Sequence, residues 1–536
     1  MHIRAMNLPI RSSLLPAFLG LFALQQPQAA SAQAGSLDPA FATAGKYVQD
    51  FGFQDNLTKV RIQPADQKIV AVGTALTPAF AGKLLVVRLN ADGTPDNTFN
   101  GSGSLVITAF NESYAYDLFF PADGKIVVVG ARADANFQFS MLALRLNADG
   151  SLDNTFGTGG FSEPEISTAD DFAYAVAPLA NGKMLLAGTA LDDQFRNQPV
   201  VVRLNEDGSV DDSFGTNGVA GLSVDQTDNK FWNVGIQSDG SIIASGHLDQ
   251  GLTGTGQFNQ DVLVARFTAE GTLDATFGNS GTVVRPISAE YVESAFAMAI
   301  GTDDAIYLGG YTTQLDFSFD GFVMKLDGGG TADASFGTSG LVIFDNAVQD
   351  VFTGLALQPD GKLLACGTSG GFFFDPRDQL VSRFNTAGVL DTAFDTDGYC
   401  LNNVVGNFDE ANALTLQADG KIVVAGKANT GSNNDATVFR HHNDINTMVR
   451  DEVSPSQPML FPNPASAGST LLLSVDGTVR RIRLFDAKGA EVTFDQRTLA
   501  GPWSSLQLPS TLVAGTYALQ VTTDRGTTTT RIVVQD

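Results

Sequence analysis

Short apolar runs, separated by polar turns that contain glycine, recur along most of this chain. Within residues 94–150 the runs are Leu105–Ile107, Tyr114–Phe120, Lys125–Gly130 and Met141–Leu146. Runs of this length bounded by turn residues are typical of β-strands. An Asp-Gly pair between the second and third runs predicts a tight hairpin, because glycine accepts a positive φ. The pattern therefore predicts four short strands in each unit.

The unit repeats at a nearly constant period. A phrase close to Arg-Leu-Asn-x-Asp-Gly-x-Leu-Asp-x-x-Phe ends at Phe41, Phe99, Phe156, Phe214, Phe277, Phe336 and Phe394, at intervals of 58, 57, 58, 63, 59 and 58 residues. Such a period indicates units that bury their apolar faces against one another. Four strands per unit in a closed array is the propeller arrangement. We predict an all-β, seven-bladed β-propeller over residues 33–445, with an open solenoid as the alternative.

The ends of the repeat region predict how the ring closes. The chain enters the repeats just before a first strand, and it leaves them on a fourth strand near Val438–Arg440. We expect the strand near residues 45–51 to complete the blade built by residues 411–440, which would remove exposed sheet edges. We also expect the third strand of each unit to end in a glycine, at Gly73, Gly130, Gly188, Gly246, Gly309, Gly367 and Gly426.

The repeated acidic turns suggest two roles. Asp391, Asp395 and Asp397 form the densest local cluster and are the candidate metal ligands. Calcium takes six to eight oxygens, of which one turn supplies three or four. The favoured interpretation is that Asn and Asp side chains cap backbone amides of the turn. Calcium is the only cofactor hypothesis, and the Arg or Lys of each fourth strand is expected to pair with an Asp of a neighbouring unit.

Aromatic residues in variable regions are the candidate ligand contacts. The fourth unit, residues 209–271, carries an insertion beside Phe258, and Trp232 lies on its second predicted strand. Exposed aromatic rings can stack on sugars or partners, although burial between blades is the favoured interpretation. Other aromatics in variable loops are Phe80, Phe137, Phe139, Phe195, Phe317, Phe319 and Phe372–Phe374.

Three short motifs, which recur in order in the repeats, together resemble a known repeat family. Leu-Asp-x-x-Phe-Gly, Asp-Gly-Lys-Ile and Arg-Leu-Asn-x-Asp-Gly at a period near 60 resemble the delta-60 repeats of bacterial surface and secreted proteins. The resemblance covers residues 37 to about 445, and the last unit departs from it at Phe439–Asn443. It implies a β-propeller-like scaffold with no settled activity.

The repeat ends at a polar linker, residues 446–459, which contains prolines. Short apolar runs in residues 460–536 predict a small β-sandwich. This segment resembles a type A sorting domain of the type IX secretion system, and the residues that carry the resemblance are Pro462, Asn463, Pro464, Gly489, Gly515 and Tyr517. The resemblance implies passage across a Gram-negative outer membrane with the type IX machinery as partner. The alternative is an ordinary sandwich that binds or spaces.

The N-terminus and the charge agree with export. Residues 1–32 are predicted to be an export signal peptide, in which Arg4 and Arg11 precede the apolar stretch Leu14–Leu24 and Ala30–Ala32 is a small-residue cleavage site. We find no transmembrane candidate in the mature chain. With 58 Asp plus Glu against 32 Lys plus Arg, the chain has a net charge of −26, which repels nucleic acid and excludes it as a partner on electrostatic grounds. We expect the protein to be secreted or on the outer cell surface.

Few residue patterns point to catalysis. Gly367–Gly371 matches the Gly-x-Ser-x-Gly nucleophile elbow, but Gly367 belongs to the repeated glycine series. Cys366 and Cys400 show no metal spacing and are expected to be buried, unpaired thiols on neighbouring units. The leading interpretation is a non-enzymatic propeller that presents a binding face to a glycan or protein. The alternatives are a polysaccharide-active enzyme, whose carboxylate pair the sequence does not single out, and a structural adhesion component.

Overall fold

The computed structural model describes two stretches of the chain. These are residues 33–444, apart from 255, 289–290, 372–374, 405–407 and 432, and residues 459–535, apart from 462–464, 475–478, 487–489, 494, 499–502 and 524–525. The regular elements in these stretches are all β-strands. No helix there is long and apolar enough to cross a membrane. The predicted export signal, and residues 446–458 of the predicted linker, lie outside the described residues.

The strands of the repeat region form antiparallel sheets of four, which we number along the chain. The strand β1 (Lys46–Gln49) joins the last of these sheets. The bounds are, for sheet 1, β2 (Gln54–Ile62), β3 (Ile69–Leu76), β4 (Gly82–Leu89) and β5 (Ser104–Ile107); for sheet 2, β6 (Glu112–Phe119), β7 (Ile126–Ala133), β8 (Phe139–Leu146) and β9 (Phe161–Ser162); for sheet 3, β10 (Asp171–Pro178), β11 (Met184–Leu191), β12 (Asn197–Leu204) and β13 (Val219–Gly221); for sheet 4, β14 (Lys230–Ile236), β15 (Ile242–Leu252), β16 (Phe258–Phe267) and β17 (Thr282–Arg285); for sheet 5, β18 (Glu293–Ile300), β19 (Ile306–Thr313), β20 (Phe319–Leu326) and β21 (Leu341–Phe344); for sheet 6, β22 (Gln349–Leu357), β23 (Leu363–Gly370), β24 (Arg377–Phe384) and β25 (Tyr399–Asn402); and for sheet 7, β26 (Asp409–Leu416), β27 (Ile422–Asn429) and β28 (Asn434–His441), with β1.

Neighbours in sequence are neighbours in each sheet. A single parallel bridge, between Phe319 and Gln349, links sheets 5 and 6. The all-β class and the four-stranded repeat are confirmed, and the ring of seven blades stays a prediction. The fourth strand of each sheet comes from the first apolar run of the following sequence unit, so that sheets and sequence units are offset by one strand.

The first and last sheets join through both ends of the repeat region. As expected, β1 pairs antiparallel with β28, with Lys46 opposite Phe439. Arg440 of β28 donates from Nε to Asp38 Oδ2 at 2.9 Å and lies over the ring of Phe41, 4.8 Å from its centroid. The repeated phrase of the last unit is therefore assembled from two distant segments. The N-terminal segment Leu37–Phe41 supplies the Leu-Asp-x-x-Phe part of the phrase, which is missing from the sequence after Arg440.

Each first strand contains a one-residue β-bulge, which explains the repeated glycines. The bulged residues are Thr58, Tyr116, Tyr174, Trp232, Phe296, Thr353 and Asn412. A Cβ at the facing glycine of the second strand would lie 1.8 to 2.0 Å from a backbone carbonyl oxygen of the first strand. These facing glycines are Gly73, Gly130, Gly188, Gly246, Gly310, Gly367 and Gly426.

Two sequence expectations about these glycines are wrong. The glycines lie inside the second strand of each sheet, three residues before its end in β3. In sheet 5 the equivalent residue is Gly310, since a Cβ at Gly309 would meet only the side chain of Leu355, at 3.2 Å. Two consecutive glycines cannot be told apart in the sequence, and only the position of the bulge selects the second.

The core lies between adjacent sheets. Phe99, for example, is completely buried among Val70 and Leu84 of sheet 1 and Ile126 and Leu142 of sheet 2. The phenylalanine that ends each repeated phrase is thus a wedge between one sheet and the next, where burial of a ring contributes about 2–3 kcal/mol. Cys366 and Cys400 are both buried and free. They lie on β23 and β25 of the same sheet, with β24 between them, because the fourth strand of this sheet comes from the following sequence unit.

The C-terminal stretch forms two further sheets. The bounds are β29 (Met459–Phe461), β30 (Ala465–Ser466), β31 (Thr470–Ser474), β32 (Val479–Phe485), β33 (Glu491–Val492), β34 (Asp495–Thr498), β35 (Trp503–Gln507), β36 (Gly515–Thr523) and β37 (Gly526–Gln535). One sheet has the order β29-β31-β35-β34 and the other β30-β37-β36-β32-β33. Leu471 and Leu506 of the first share a core with Leu484 and Leu519 of the second. This is the predicted sandwich arrangement.

Candidate functional site

The bulged residues of sheets 2 to 5 form a continuous aromatic arc. The ring centroids of Tyr116 and Tyr174 are 5.1 Å apart, those of Tyr174 and Trp232 are 4.4 Å apart, and those of Trp232 and Phe296 are 5.5 Å apart. All four side chains are half-buried. Trp232 lies on the first strand of its sheet, β14, which is the second strand of its sequence unit as expected, and it belongs to an aromatic series shared by four sheets.

The indole of Trp232 also takes part in a polar contact between sheets 4 and 5. Its Nε1 donates to Nδ1 of His247 at 3.2 Å and to Oγ of Ser294 at 3.1 Å. Oγ of Ser294 lies 2.9 Å from His247 Nδ1, and Oδ2 of Asp228 lies 3.8 Å from His247 Nε2. Contacts with His247 and Lys230 hold the pKa of Asp228 far below its usual range.

This order of Asp, His and Ser resembles a catalytic triad but lacks its geometry. Ser294 is only 2% exposed, so a substrate cannot reach its hydroxyl. The 3.8 Å separation of Asp228 and His247 exceeds hydrogen-bond distance. A triad needs both the accessible nucleophile and the oriented base. The arrangement is a buried contact that holds sheets 4 and 5 together.

The other three bulges carry polar side chains that tie each sheet to the next. Oγ1 of Thr58 donates to the Ala115 carbonyl at 2.7 Å, and Oγ1 of Thr353 donates to the Ala411 carbonyl at 2.7 Å. At the closing seam, Asn412 Nδ2 donates to the Leu57 carbonyl at 2.8 Å. The bulge position is thus used for contacts between sheets around the whole repeat region.

First strands from several sheets also line a cavity of about 240 Å³. Its lining includes Lys59 and Arg61 of sheet 1, together with residues of sheets 4 to 7. Arg61 donates to Asp117 at 3.0 Å, and Lys59 Nζ lies 3.9 Å from the same carboxylate. Although Asp117 attracts the ammonium of Lys59, burial and the charge of Arg61 lower the pKa of Lys59. Two cations facing one cavity are unusual in a chain of net charge −26.

Five aromatic rings project into solvent at hairpins between second and third strands. The exposed fractions are 66% for Phe80, 63% for Phe137, 79% for Phe195, 73% for Phe258 and 62% for Phe317. The expectation that such loop aromatics are buried between blades is wrong for these five. Phe139 and Phe319, at the starts of third strands, are half-buried against other rings. Phe372–Phe374 lie outside the described residues.

Four of these phenylalanines also have an unfavourable backbone. The φ angles are 62° for Phe80, 64° for Phe137, 60° for Phe195 and 64° for Phe317. A bulky residue at positive φ costs on the order of 1 kcal/mol. In the hairpin of sheet 4 the corresponding position holds Gly256, with a φ of 79°. We name the set Phe80, Phe137, Phe195 and Phe317 the hairpin phenylalanines.

The structure places the candidate calcium ligands in different surroundings. Oδ2 of Asp391 lies 2.8 Å from Lys362 Nζ and 2.9 Å from Arg383 Nε. Burial works to raise the pKa of Asp391, but the contact with Lys362 and the nearby Arg383 outweigh it and lower the pKa. Asp395 is half-buried, and Oδ1 of Asp397 accepts from the Tyr399 amide at 3.3 Å. Asp391 is thus neutralised by two cations of its own sheet.

Of the predicted sorting residues, two are described. Gly515 begins β36 opposite Val534. Tyr517 is buried, and its hydroxyl donates to the Val513 carbonyl at 2.9 Å. This bond fixes the turn that precedes β36. Pro462, Asn463, Pro464 and Gly489 lie outside the described residues.

Two charged groups were missed by sequence reasoning. Lys59 and Arg61 stand two residues apart on one strand. This spacing puts both side chains on one face of the sheet, and it was the signal that could have found them. The second group is Asp50, Asp55 and Asp435, whose carboxylate oxygens lie within 4.8 Å of one another. Its members are 5 and 380 residues apart in sequence. Only the pairing of β1 with β28 brings them together.

Family models match both parts of the chain. The model described as "Domain of unknown function (DUF5122) beta-propeller" matches residues 65–99, 122–156, 179–214, 237–277, 358–394 and 417–444. The model described as "Secretion system C-terminal sorting domain" matches residues 459–535. The chain carries DUF5122 β-propeller repeats and a type IX sorting domain. The delta-60 resemblance and the sorting resemblance are both confirmed, and the sorting domain directs the chain to the surface or exterior of a Gram-negative cell.

Solved structures resemble the chain only distantly. A protein of unknown function from Dyadobacter fermentans is 12% identical, with a TM-score of 0.43, and covers 76% of this chain and 100% of its own. A polysaccharide lyase of family PL25, an ulvan lyase, is 10% identical, with a TM-score of 0.42. The match covers 74% of this chain and 95% of the lyase. A putative glucose dehydrogenase from Thermus thermophilus is 14% identical, with a TM-score of 0.33. The match covers 61% of this chain and 96% of the dehydrogenase. Similarity at this level transfers no activity. No curated protein matches the sequence significantly.

Proposed function

We propose that this protein is an exported, non-enzymatic β-propeller whose hairpin phenylalanines bind a glycan. The observation that supports the proposal is the combination of exposure and positive φ at Phe80, Phe137, Phe195 and Phe317. Neither burial nor turn formation favours a phenylalanine at such a position. A ligand that covers the rings would offset both costs.

The repetition of these rings suits an extended ligand. They occupy the same hairpin position in sheets 1, 2, 3 and 5, with the exposed Phe258 beside the corresponding hairpin of sheet 4. An aromatic face packs well against the CH face of a sugar ring, and exposed apolar groups in series mark interaction surfaces. A polymer of similar units would meet a similar group at each of sheets 1 to 5.

Polar groups next to the rings suit sugar hydroxyls. In sheet 2 the hairpin holds Asp134 and Asn136 on one side of Phe137 and Gln138 on the other. In sheet 3 Asp192 and Gln194 precede Phe195, and Arg196 follows it. Carboxylates accept hydrogen bonds, and side-chain amides both donate and accept them. Since the chain is strongly acidic, a neutral glycan is favoured over an anionic one.

The alternative of a polysaccharide-active enzyme requires an accessible acid or nucleophile. Burial raises the pKa of Glu293 to about 7, which suits a general acid. However, Glu293 is completely buried, and its Oε1 accepts from the Ser288 amide at 2.9 Å. Its surroundings fit a structural role. Glu293 therefore gives no support to the enzyme alternative.

Binding of the purified protein to an array of neutral and acidic glycans tests the proposal. We expect binding to neutral glycans, and we expect Phe137→Gly and Phe195→Gly to weaken it at least tenfold without lowering the melting temperature. Gly256→Ala is the matched control at the hairpin position without phenylalanine, and it should leave binding unchanged. Absence of glycan binding, or unchanged binding by both phenylalanine variants, would refute the proposal. Release of oligosaccharide products would instead favour the enzyme.

A further inference from the structure

Three carboxylates meet where the last sheet of the repeat region joins the first. Asp50 follows β1 of sheet 7, Asp435 lies on β28 of the same sheet, and Asp55 lies on β2 of sheet 1. One oxygen of each lies within 4.8 Å of an oxygen of the other two. This is the only such group of three acids, histidines or cysteines found in the described part of the chain.

One oxygen of this group is buried without a partner. Asp55 is 1% exposed; its Oδ2 accepts from the Phe51 amide at 2.6 Å, while Oδ1 has no hydrogen bond. A buried carboxylate oxygen left unpaired is costly. Burial, together with the charges of Asp50 and Asp435, raises the pKa of Asp55 to about 6. At neutral pH the carboxylate is therefore ionised at an energetic cost.

The neighbours of the group include donors but no compensating cation. Oδ1 of Asp50 accepts from the Gly52 amide at 2.8 Å, and Oδ2 of Asp435 accepts from Thr430 Oγ1 at 2.7 Å. Among the described residues, no ion pair to Lys, Arg or His involves any of the three acids. Each carboxylate is thus oriented by a neighbouring donor while the total negative charge is left unbalanced.

The seam between sheets 1 and 2 holds a cation and a hydroxyl where the closing seam holds two of its acids. Between sheets 1 and 2, Lys83 stands at the register of Asp435, and Ser113 stands at that of Asp55. The ammonium of Lys83 donates to the carbonyls of Phe110 and Asn111 there. That seam therefore carries no surplus of carboxylates.

The seam between sheets 6 and 7 shows a second solution. Asn403 replaces the acid that follows the fourth strand, and its Nδ2 donates to Oδ1 of Asp378 at 2.7 Å. Oδ2 of Asp409, at the register of Asp55, accepts from the Val404 amide at 2.6 Å. At this seam the side-chain amide of Asn403 thus takes the place of one acid and donates a hydrogen bond to another.

The seam between sheets 5 and 6 has acids at all three registers, Asp320, Asp345 and Asp350. There Gln314 donates to Asp320 at 2.7 Å, and the amides of Asn346 and Ala347 donate to Asp350. The three do not come within the 4.8 Å spacing found at the closing seam. One site per chain is therefore expected.

We propose that Asp50, Asp55 and Asp435 bind a divalent cation, of which Ca²⁺ fits best, and that the ion clamps sheet 7 to sheet 1. Ca²⁺ binds oxygens at 2.3–2.6 Å, so two ligands on opposite sides of one ion lie about 5 Å apart. The 4.8 Å limit of the group is compatible with one shared ion. Three carboxylates supply hard oxygen ligands, and water completes the six to eight that Ca²⁺ takes.

Calcium titration of the chelator-treated, purified protein tests the site. We expect one Tb³⁺ or Ca²⁺ per chain by luminescence and calorimetry, and a melting temperature several degrees higher in millimolar Ca²⁺ than in chelator. Asp435→Asn and Asp50→Asn should each remove the Ca²⁺-dependent shift. In chelator, the melting temperature of Asp435→Asn should equal or exceed that of the unaltered protein, because one of three like charges is gone. Asp50 is exposed, so its variant is expected to fold in any case.

Asp378→Asn is the matched control, since Asp378 occupies on β24 the register of Asp435 on β28. It should keep the full Ca²⁺-dependent shift. The proposal is refuted if Ca²⁺ neither binds nor changes the melting temperature, or if the shift survives in both Asp50→Asn and Asp435→Asn. It is also refuted if Asp397→Asn removes the shift, because that result would place the ion at the acidic turn of sheet 6.

Discussion

Oδ2 of Asp96 lies 2.7 Å from Nε of Arg88, eight residues earlier in the chain. Nζ of Lys68 reaches the same oxygen at 2.9 Å, and NH1 of Arg88 donates to the Ala148 carbonyl of the next sheet at 2.6 Å. The guanidinium lies 4.7 Å from the ring centroid of Phe99. The cation therefore pairs with an Asp of its own sheet, which in the sequence belongs to the following unit, and it reaches the neighbouring sheet through a carbonyl.

The same arrangement recurs and gives the repeated phrase its physical meaning. The Arg, Asp and Phe of each phrase are three parts of one contact between adjacent sheets. The Arg–Asp pairs of the other sheets are Arg145–Asp153, Arg203–Asp211, Arg266–Asp274, Arg383–Asp391 and Arg440–Asp38, with Lys325–Asp333 in sheet 5.

Removing one of these cations should be far more harmful than removing a cation at the surface. Arg145→Ala leaves the buried Asp153 with only Lys125, so we expect a loss of about 2–4 kcal/mol in the free energy of unfolding. Arg132→Ala is the control in the same sheet, where the partly exposed pair with Glu163 contributes about 0–1 kcal/mol. Urea unfolding at pH 7 measures both. Equal losses would contradict the structural role of the repeated arginine.

The repeated acids predict a loss of stability in acid. Hydrogen bonds from Lys325 and Ser335 hold the pKa of Asp333 at about 2, below its ordinary value of 3.8. A carboxylate with a lowered folded-state pKa contributes stability above the unfolded-state value, and this is lost as pH falls towards the folded-state value. We expect the urea midpoint to fall between pH 4 and pH 2. Asp333→Asn should show a smaller decrease over this range.

Glu293 predicts the opposite trend near neutral pH. Its pKa of about 7 exceeds the ordinary 4.5, because burial disfavours the ionised form in the folded state. Folding is therefore penalised above pH 7, and the penalty disappears as pH falls below about 5. We expect Glu293→Gln to raise the free energy of unfolding by about 1–2 kcal/mol at pH 8, and by much less at pH 5. A pH-independent effect would show that the charge is not the cause.

Much of the fold follows from local pattern. Turn residues and apolar runs determine the four strands, and the constant period predicts the packing of one sheet on the next. The closing strand β1 follows from where the repeat begins and ends. The exposure of Phe137 could not be predicted in the same way, because hydrophobicity favours burial and only the hairpin conformation turns the ring outward.

The candidate sites could not be predicted in the same way, because they depend on contacts between residues that are distant in the sequence. Asp391, Asp395 and Asp397 lie within one short turn of the sequence, yet the carboxylate of Asp391 pairs with Arg383 and Lys362. Asp55 and Asp435 come from opposite ends of the repeat region and meet only through closure. Local density of acids is therefore a poor guide to a metal site when a repeat supplies its own cations.

The glycine opposite each bulge should be much less tolerant of substitution than the hairpin glycine. In Gly130→Ala the new Cβ would lie 1.8 Å from the Tyr114 carbonyl oxygen, so the bulge must rearrange. We expect a loss of more than about 3 kcal/mol, or failure to fold. Gly124→Ala is the matched control, because its φ of +80° is strained for alanine but no atom lies within 4 Å. Its cost should be about 1 kcal/mol, and comparable costs in thermal unfolding would contradict this account.

The sorting domain should be needed for passage through the outer membrane but not for folding of the repeats. The sheets formed by β1–β28 pair only among themselves among the described residues, so a chain without residues 459–535 is expected to fold and to remain in the periplasm. Cell fractionation and protease accessibility of intact cells measure this. Tyr517→Phe is the control: it removes the bond to Val513 but keeps the buried ring, and it should still be exported. Surface display of the truncated chain would show that the route does not depend on this domain.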